Sequence, residues 1–444
     1  MSRATADRAG AVVWGLARLL VRIFYRVEHA GGDVPDGPVL LVANHANGLL
    51  DPAVVVVASR RRPRFLAKST LFDLPAIGWF VHLAGSIPVY RRGDEGADPS
   101  RNDEMFRAVH EALAEGQVVC LFPEGISHSS GRLEPLRTGA ARIALRAAAA
   151  HVPVRIVPVG LNFEDKEVFR STVLVAFGPP IACGGWLGRH DPDPASAVRG
   201  LTDEVARHLR DVMVEAEPIA ETSIVERVER LYAAARRLDR SAAAILERRR
   251  LIASGIHALR QRDPERFATL YEALRRYERR LERFGLRQDA LRQRVPLSTA
   301  VIFALREATL GLLLGPIIAL GVAMFFVPYQ LVRWLARSFT VSLDQQATFK
   351  IAAGIVCYLS WVLAIATAAW RVGGAAWGAA AAAALPVLAV ATLLGQEREQ
   401  AVLEVVRGYM ASRLTRDGIE GRLLRQRAAL ADLLDETYRW LQVT

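Results

Sequence analysis

Cysteine is scarce. The 444 residues hold three, Cys120, Cys183 and Cys357, far apart and without a Cys-x-x-Cys pair. That excludes a disulfide framework and a cysteine-built zinc site, and it fits a reducing compartment. Cys120 lies in an apolar run, where cysteine acts as a small buried hydrophobe. Lysine is rarer than the charge suggests. It occurs only at Lys68, Lys166 and Lys350, so the net charge of +11 is almost wholly arginine. Aromatic residues make up 7% of the chain and are not interleaved with basic ones as in RNA-binding sheets, which argues against a nucleic acid partner. Basic charge beside apolar segments points instead to anionic lipid or a phosphorylated substrate.

What the chain does have is apolar mass, 52% of its residues, concentrated after about residue 300. Three segments there approach the ~20 residues that a membrane crossing needs: 308–329, 351–370 and 373–394. Pro316, Pro328 and several glycines interrupt the first. Arg333, Arg337 and Lys350 flank the second, arginines follow the third, and the turn between them holds only Arg371. The positive-inside rule then places both flanks of 351–394 in the cytoplasm, with 308–329 dipping in and returning or forming a third span. Residues 301–396 are thus a membrane region, followed by a helical tail over 397–444.

Ahead of it, 203–300 reads as charged helices, a hairpin or small bundle, with Gly285 as a stop. At the other end, "AVVWGLARLLVRIFYRV" could pass for a signal peptide, but Arg18, Arg22 and Arg26 interrupt it and no small-residue cleavage site follows, which argues against one. The arginines, four apart, form one stripe, with Trp14, Leu19, Leu20, Ile23 and Phe24 largely elsewhere. Residues 1–30 are expected to be an amphipathic helix on an anionic membrane surface. Between these parts, 31–202 alternates β-rich runs (38–44, 63–68, 85–90, 117–122, 154–163, 172–178) with helical stretches. Several of these strands are continuously apolar, as in sheets covered on both faces. The alternation predicts an α/β sandwich with a largely parallel sheet.

Within it, "VLLVANHANGLLDP" ends an apolar run in Asn44-His45 and reaches Asp51 six positions on. A histidine beyond a buried strand end is well placed as a base, because strand ends border substrate crevices. An aspartate on one ring nitrogen fixes the tautomer and stabilises the imidazolium. On a helix the two would stand about 240° apart, so only a loop can join them. The competing reading makes Asp51 a helix cap before Pro52. Three more strand ends add to the pattern: Gly85 and Arg91 in "GSIPVYRR", Pro123-Glu124-Gly125 before Thr138-Gly139, and Val159-Gly160. Arginine beside exposed backbone N–H groups binds phosphate.

Taken in order, these four stretches resemble the glycerol-phosphate and lysophospholipid acyltransferase superfamily: Asn-His…Asp, Gly-x5-Arg, Phe-Pro-Glu-Gly, and a Val-Pro-Val-Gly strand, over residues 38–180. The commonest form of the first motif has four residues between His and Asp; here there are five, Ala46 to Leu50. That form, with "PEGISH" and the C-terminal apolar segments, resembles the fungal-type glycerol-3-phosphate/dihydroxyacetone-phosphate acyltransferases and their bacterial relatives. The resemblance implies an α/β acyltransferase fold with C-terminal transmembrane helices, and a membrane enzyme of phospholipid biosynthesis facing the cytoplasm. His45 would be the general base and Asp51 its partner. Asn44, Arg91, Arg92, Glu124, Gly125, Ser127 and Arg137 would form the substrate site. An acyl-CoA or acyl-carrier protein would be co-substrate, with no metal or other cofactor. The role of His128 is open. The acceptor could be glycerol-3-phosphate, dihydroxyacetone phosphate or a lysophospholipid. A non-catalytic membrane scaffold is the remaining alternative.

Overall fold

The computed structural model describes residues 3–74, 77–91, 99–186, 194–217, 221–284, 297–339, 343–414 and 419–443. They fall into two compact units. The first comprises Met1–Glu226, Asp239–Ser254 and Ser342–Thr348; the second comprises Arg227–Leu238, Gly255–Val341 and Phe349–Thr444.

The first unit carries α1 (Arg3–Phe24), β1 (Arg26–Gly31), β2 (Val39–Ala43), α2 (Leu50–Ser59), β3 (Arg64–Lys68), α3 (Ile77–Leu83) and β4 (Ile87–Val89). It continues with α4 (Asn102–Ala114), β5 (Val118–Leu121), α5 (Gly139–Ala149), β6 (Arg155–Phe163), β7 (Thr172–Phe177), β8 (Ile181–Ala182) and α6 (Pro194–Asp211). The strands form one sheet in the order β1-β7-β6-β2-β5-β3-β4, with β8 paired to β6. Every pairing is parallel except those of β6 with β7 and β8. All five residues of β2 and all four of β5 are buried, which explains their unbroken apolar sequences. Leu40, Val42, Val119, Leu121 and Ile156 share a core cluster with residues of α4, α5 and α6. The alternate residues Leu41, Cys120 and Val157, equally buried, face the layer of α1 and α2. The chain therefore leaves β2 for one face and β5 for the other. The carboxyl ends of these neighbouring strands are the switch point, the place where open α/β sheets bind ligands.

The sheet is larger than the sequence reading. Strand β1 was missed because "RVEHAG" alternates polar and small residues at a sheet edge, mostly exposed or half-buried. It pairs with β7 from Arg26 onward, so the α/β domain begins at 26 rather than 31. Helix α6 packs on β6 and α5, so the boundary at 203 also falls inside the domain. Helix α1 keeps Arg18 and Arg22, whereas Arg26 starts β1. One face of α1, with Val13, Trp14, Ala17, Val21 and Phe24, is buried, and Val12, Leu16 and Leu19 point outward.

The charged region resolves into α7 (Glu221–Arg236), α8 (Ala242–Arg262) and α9 (Pro264–Arg283). Asp263 caps α9 by accepting the Arg266 N–H at 2.9 Å, with Pro264 in the first turn. Gly285 lies outside the described residues. Then come α10 (Leu297–Ser338), α11 (Leu343–Gly373), α12 (Ala375–Leu414) and α13 (Ile419–Val443). The expected dip and return at 308–329 is instead part of one 42-residue helix that runs through both prolines. A proline removes a single backbone bond, and in an apolar setting a helix still satisfies the rest. Among the described residues, three helical stretches are long and apolar enough to cross a membrane: Leu305–Ser338, Thr348–Gly373 and Ala375–Glu399. The tail's first part simply continues α12.

Candidate active site

The loop after β2 brings His45 and Asp51 together, with Nδ1 2.9 Å from Oδ2. Asp51 is the second residue of α2, and Leu49, the helix cap, makes no side-chain capping bond. The aspartate therefore caps nothing and turns back into the loop, where Oδ2 also accepts the Asn47 N–H at 2.7 Å. Its side chain is fully buried, while that of His45 is 18% exposed. A buried carboxylate on Nδ1 holds that nitrogen protonated, which leaves the lone pair on Nε2. Nε2 makes no hydrogen bond to the described residues. The imidazole stacks on Phe122 at the end of β5, with centroids 4.2 Å apart and planes at 17°.

Two further contacts hold the His45 backbone. Its N–H donates to Glu124 Oε1 at 2.7 Å, and its carbonyl accepts the His128 N–H at 3.1 Å. Glu124 Oε2 accepts the Glu134 N–H at 2.9 Å and pairs with His128 Nε2. The β2 and β5 ends are thus laced together around one carboxylate. A second network comes from outside the motifs. Tyr25, buried at the end of α1, donates its hydroxyl to the Lys166 carbonyl and accepts from Asn47 Nδ2 at 2.8 Å. Burial raises the Tyr25 pKa, so the phenol keeps its proton and remains a donor. Tyr25, Asn47, Asp51 and His45 form a continuous chain of hydrogen bonds.

Residues 26–162 match the family model described as Acyltransferase. Glycerol-3-phosphate O-acyltransferase 2 of Saccharomyces cerevisiae is 30% identical over 214 residues, 47% of this chain and 28% of the relative. Glycerol-3-phosphate O-acyltransferase 1 of the same yeast is 35% identical over 133 residues, 29% of this chain and 18% of the relative. The chloroplastic 1-acyl-sn-glycerol-3-phosphate acyltransferase BAT2 of Brassica napus is 28% identical over 153 residues, 34% of this chain and 42% of the relative. Residues 26–162 form an acyltransferase-family domain. The family match starts at the first residue of β1 and ends within β6. The chain spans less than a third of the length of either yeast relative.

Within the acyltransferase domain the remaining site residues separate into two groups. Asn44 is turned into the sheet: its Oδ1 accepts the Leu161 N–H at 2.7 Å and its Nδ2 donates to the Leu161 carbonyl at 3.2 Å. It clamps β2 to β6 rather than facing a substrate. Glu124 is likewise buried and occupied by the contacts already described, so it builds the His45 loop instead of lining a cavity. Gly125 turns the chain with φ at +79°, and the Arg137 guanidinium lies across it. A Cβ at this position would meet Arg137 Nε at 2.5 Å. Arg137 is exposed and Ser127 half-buried in the same turn. Arg91 follows β4 at the carboxyl edge of the sheet. Three strand spacings separate β4 from β2, roughly 14 Å. Arg92 lies outside the described residues. Sequence reasoning missed Tyr25 and Asn47 as site residues. Asn47 sits within the quoted motif and could have been suspected, whereas nothing local marks Tyr25.

Proposed function

We propose that the acyltransferase domain moves a fatty acyl group from an acyl thioester to the hydroxyl of glycerol-3-phosphate or dihydroxyacetone phosphate, for phospholipid synthesis at a membrane. The observation that carries this is the His45–Asp51 pair at the switch point of the sheet, with Nε2 unengaged by the described residues. The names of the two yeast relatives support the acceptor class.

The acceptor hydroxyl gives its proton to His45 Nε2 as its oxygen attacks the thioester carbonyl. The tetrahedral intermediate collapses with cleavage of the C–S bond. The departing thiolate takes the proton back from the imidazolium and leaves as a free thiol, of coenzyme A or a carrier protein. Asp51 stabilises the imidazolium meanwhile. The acyl group passes directly to the acceptor, without an acyl-enzyme. Arg91, with Arg92 and Arg137, would hold the acceptor phosphate by charge-assisted hydrogen bonds. The outward stripe Val12, Leu16 and Leu19 on α1, beside Arg18 and Arg22, suits an anionic lipid surface.

A second acceptor, a lysophospholipid, is favoured by one observation: Leu49 and Ile126, in the two loops that bracket His45, are exposed apolar residues. They could carry an acyl chain. The test assays the purified full chain with acyl-CoA and each acceptor, reading acceptor-dependent release of thiol. The glycerol-phosphates should support release better than 1-acylglycerol-3-phosphate; the reverse order selects the second reading. His45→Ala should lose about 10²–10⁴-fold in turnover with an unchanged melting curve. Full activity in that variant would remove the proposal.

A further inference from the structure

We propose that the last turns of α9 are a docking surface for the anionic phospholipid headgroups of the bilayer that holds the chain. The inference is independent of the acyltransferase chemistry and rests on the apolar helices lying in a membrane. Its ground is a ladder of five arginines, Arg275, Arg276, Arg279, Arg280 and Arg283, all exposed. By the 3.6-residue period they fall within an arc of about 140°. Leu274, Tyr277 and Leu281, the buried residues of α9, lie on the other side, and α9 packs on α13. The ladder therefore faces away from the neighbouring helix.

Pairing within the fold does not neutralise it. Other arginines of the charged helices have carboxylate partners: Arg227 meets Glu278 at 3.1 Å, Arg236 meets Asp432 at 2.6 Å and Arg266 meets Glu436 at 3.3 Å. Among the described residues none of the five ladder arginines makes an ion pair, and Arg275 lies over the Tyr271 ring, 5.6 Å from its centroid. Glu272 and Glu282 are exposed on or beside the same arc, so five positive charges share a surface with two negative ones. Arg275 with Arg279, Arg276 with Arg280, and Arg279 with Arg283 stand four residues apart, where like charges destabilise a helix. The helix dipole favours cations in the last turn, which covers Arg280 and Arg283 but not Arg275 and Arg276. An anion from outside the chain offsets the repulsion. Position says which one. α9 is followed, in the same unit, by α10 with its membrane-length stretch Leu305–Ser338. A basic cluster beside a crossing helix meets the negative potential of lipid headgroups. Arginine matches their phosphates, because its planar fork donates two hydrogen bonds at once.

The experiment uses the full chain with its native cysteines replaced and Arg279→Cys introduced, which leaves four arginines around the thiol. It is placed in lipid nanodiscs of phosphatidylcholine alone or of two parts phosphatidylcholine to one part phosphatidylglycerol. The rate of reaction with an uncharged poly(ethylene glycol) maleimide is read. Phosphatidylglycerol should slow labelling at least about fivefold, the weight of one basic residue near such a surface. The slowing should vanish at about 1 M salt, where charges are screened beyond about 3 Å. It should also vanish when Arg275, Arg276, Arg280 and Arg283 are changed to Gln. Val443→Cys, exposed on α13, should label alike in both lipids. Equal rates for Arg279→Cys in the two lipids overturn the proposal, and so does a slowing that survives salt or that Val443→Cys shares. Protection that anionic lipid does not give, but that added acyl-carrier protein gives in phosphatidylcholine discs, overturns it in favour of an acidic protein partner. The salt arm stands even if the glutamine variant does not fold. Turnover is not read, so failure here leaves the proposed function untouched.

Discussion

Asn47 does two things in the turn between β2 and α2. Its backbone N–H steadies Asp51, and its side chain reaches Tyr25 at the end of α1. The link ties a phenol 20 positions upstream to the His45–Asp51 pair. In Tyr25→Phe the Asn47 amide and the Lys166 carbonyl lose their buried partner, at about 1–3 kcal/mol for groups left unsatisfied. The expected result is a lower melting temperature together with a kcat reduced about 10-fold, more than KM changes, because the turn that aims Asp51 loosens. A variant with wild-type kcat would show that the turn holds itself. The His128–Glu124 pair has its own signature in stability. A histidine whose pKa is raised by folding contributes stability that is fully present below its unfolded pKa. That contribution is lost as pH climbs through the folded one. Thermal melts taken upward from pH 6 should therefore soften as the pH rises.

Single elements show why the motif glycines are there. Strand β6 runs under the end of α6, and a Cβ on Gly160 would sit 1.9 Å from the Val212 carbonyl oxygen. Asn162 of the same strand accepts the Val214 N–H at 2.7 Å and donates to the Val212 carbonyl at 3.0 Å. The glycine permits an approach that the asparagine then fastens. Gly160→Ala must push the segment after α6 off the sheet, an overpacking of roughly 1–3 kcal/mol or more. Chemical denaturation should register it as a lowered midpoint. Activity below the transition should be largely retained, because His45 stands in the loop after the neighbouring strand β2. Helix α1 illustrates the opposite case, an element whose two faces are both apolar. Trp14 meets Phe65 with centroids 5.8 Å apart on the inward side, and Leu16 and Leu19 point out.

Taken as a whole molecule, the chain enters and leaves its apolar region on helices that touch. In the second unit, Arg236 of α7 pairs with Asp432 of α13 at 2.6 Å and also with Asp435. Arg266 of α9 reaches Glu436 at 3.3 Å and stacks over Trp440. α7 and α9 precede the apolar helices and α13 follows them, so this packing predicts both flanks on one face of a bilayer. That arrangement predicts an even number of complete crossings, although three helices among the described residues are long enough. Glu307 with Arg398, Ile318 with Gly395 and Gly321 with Thr392 run in opposite directions along α10 and α12, which makes these two the expected crossing pair. In a chain with its native cysteines replaced, single cysteines at Phe284 and Val443 should label from one side of a sealed vesicle. Those at Ser338 and Ala375 should label from the other. Labels at Phe284 and Val443 on opposite sides would require three crossings.

The amino-acid sequence by itself determined the alternation of apolar runs and helices, and with it a mostly parallel sheet, because burial on both faces leaves its mark residue by residue. It also determined the order of the four strand-end motifs and the three apolar helices, since both are properties of short contiguous segments. Only the tertiary structure decided which motif residues look outward. Asn44 and Glu124 resemble ligands in a line of text, yet the fold spends their polar atoms on Leu161, His45, Glu134 and His128. Strand β1, the Tyr25 link and the packing of α13 on α7 and α9 were equally illegible, for one reason: each depends on a partner far along the chain. A pairing between distant segments leaves no period in either of them.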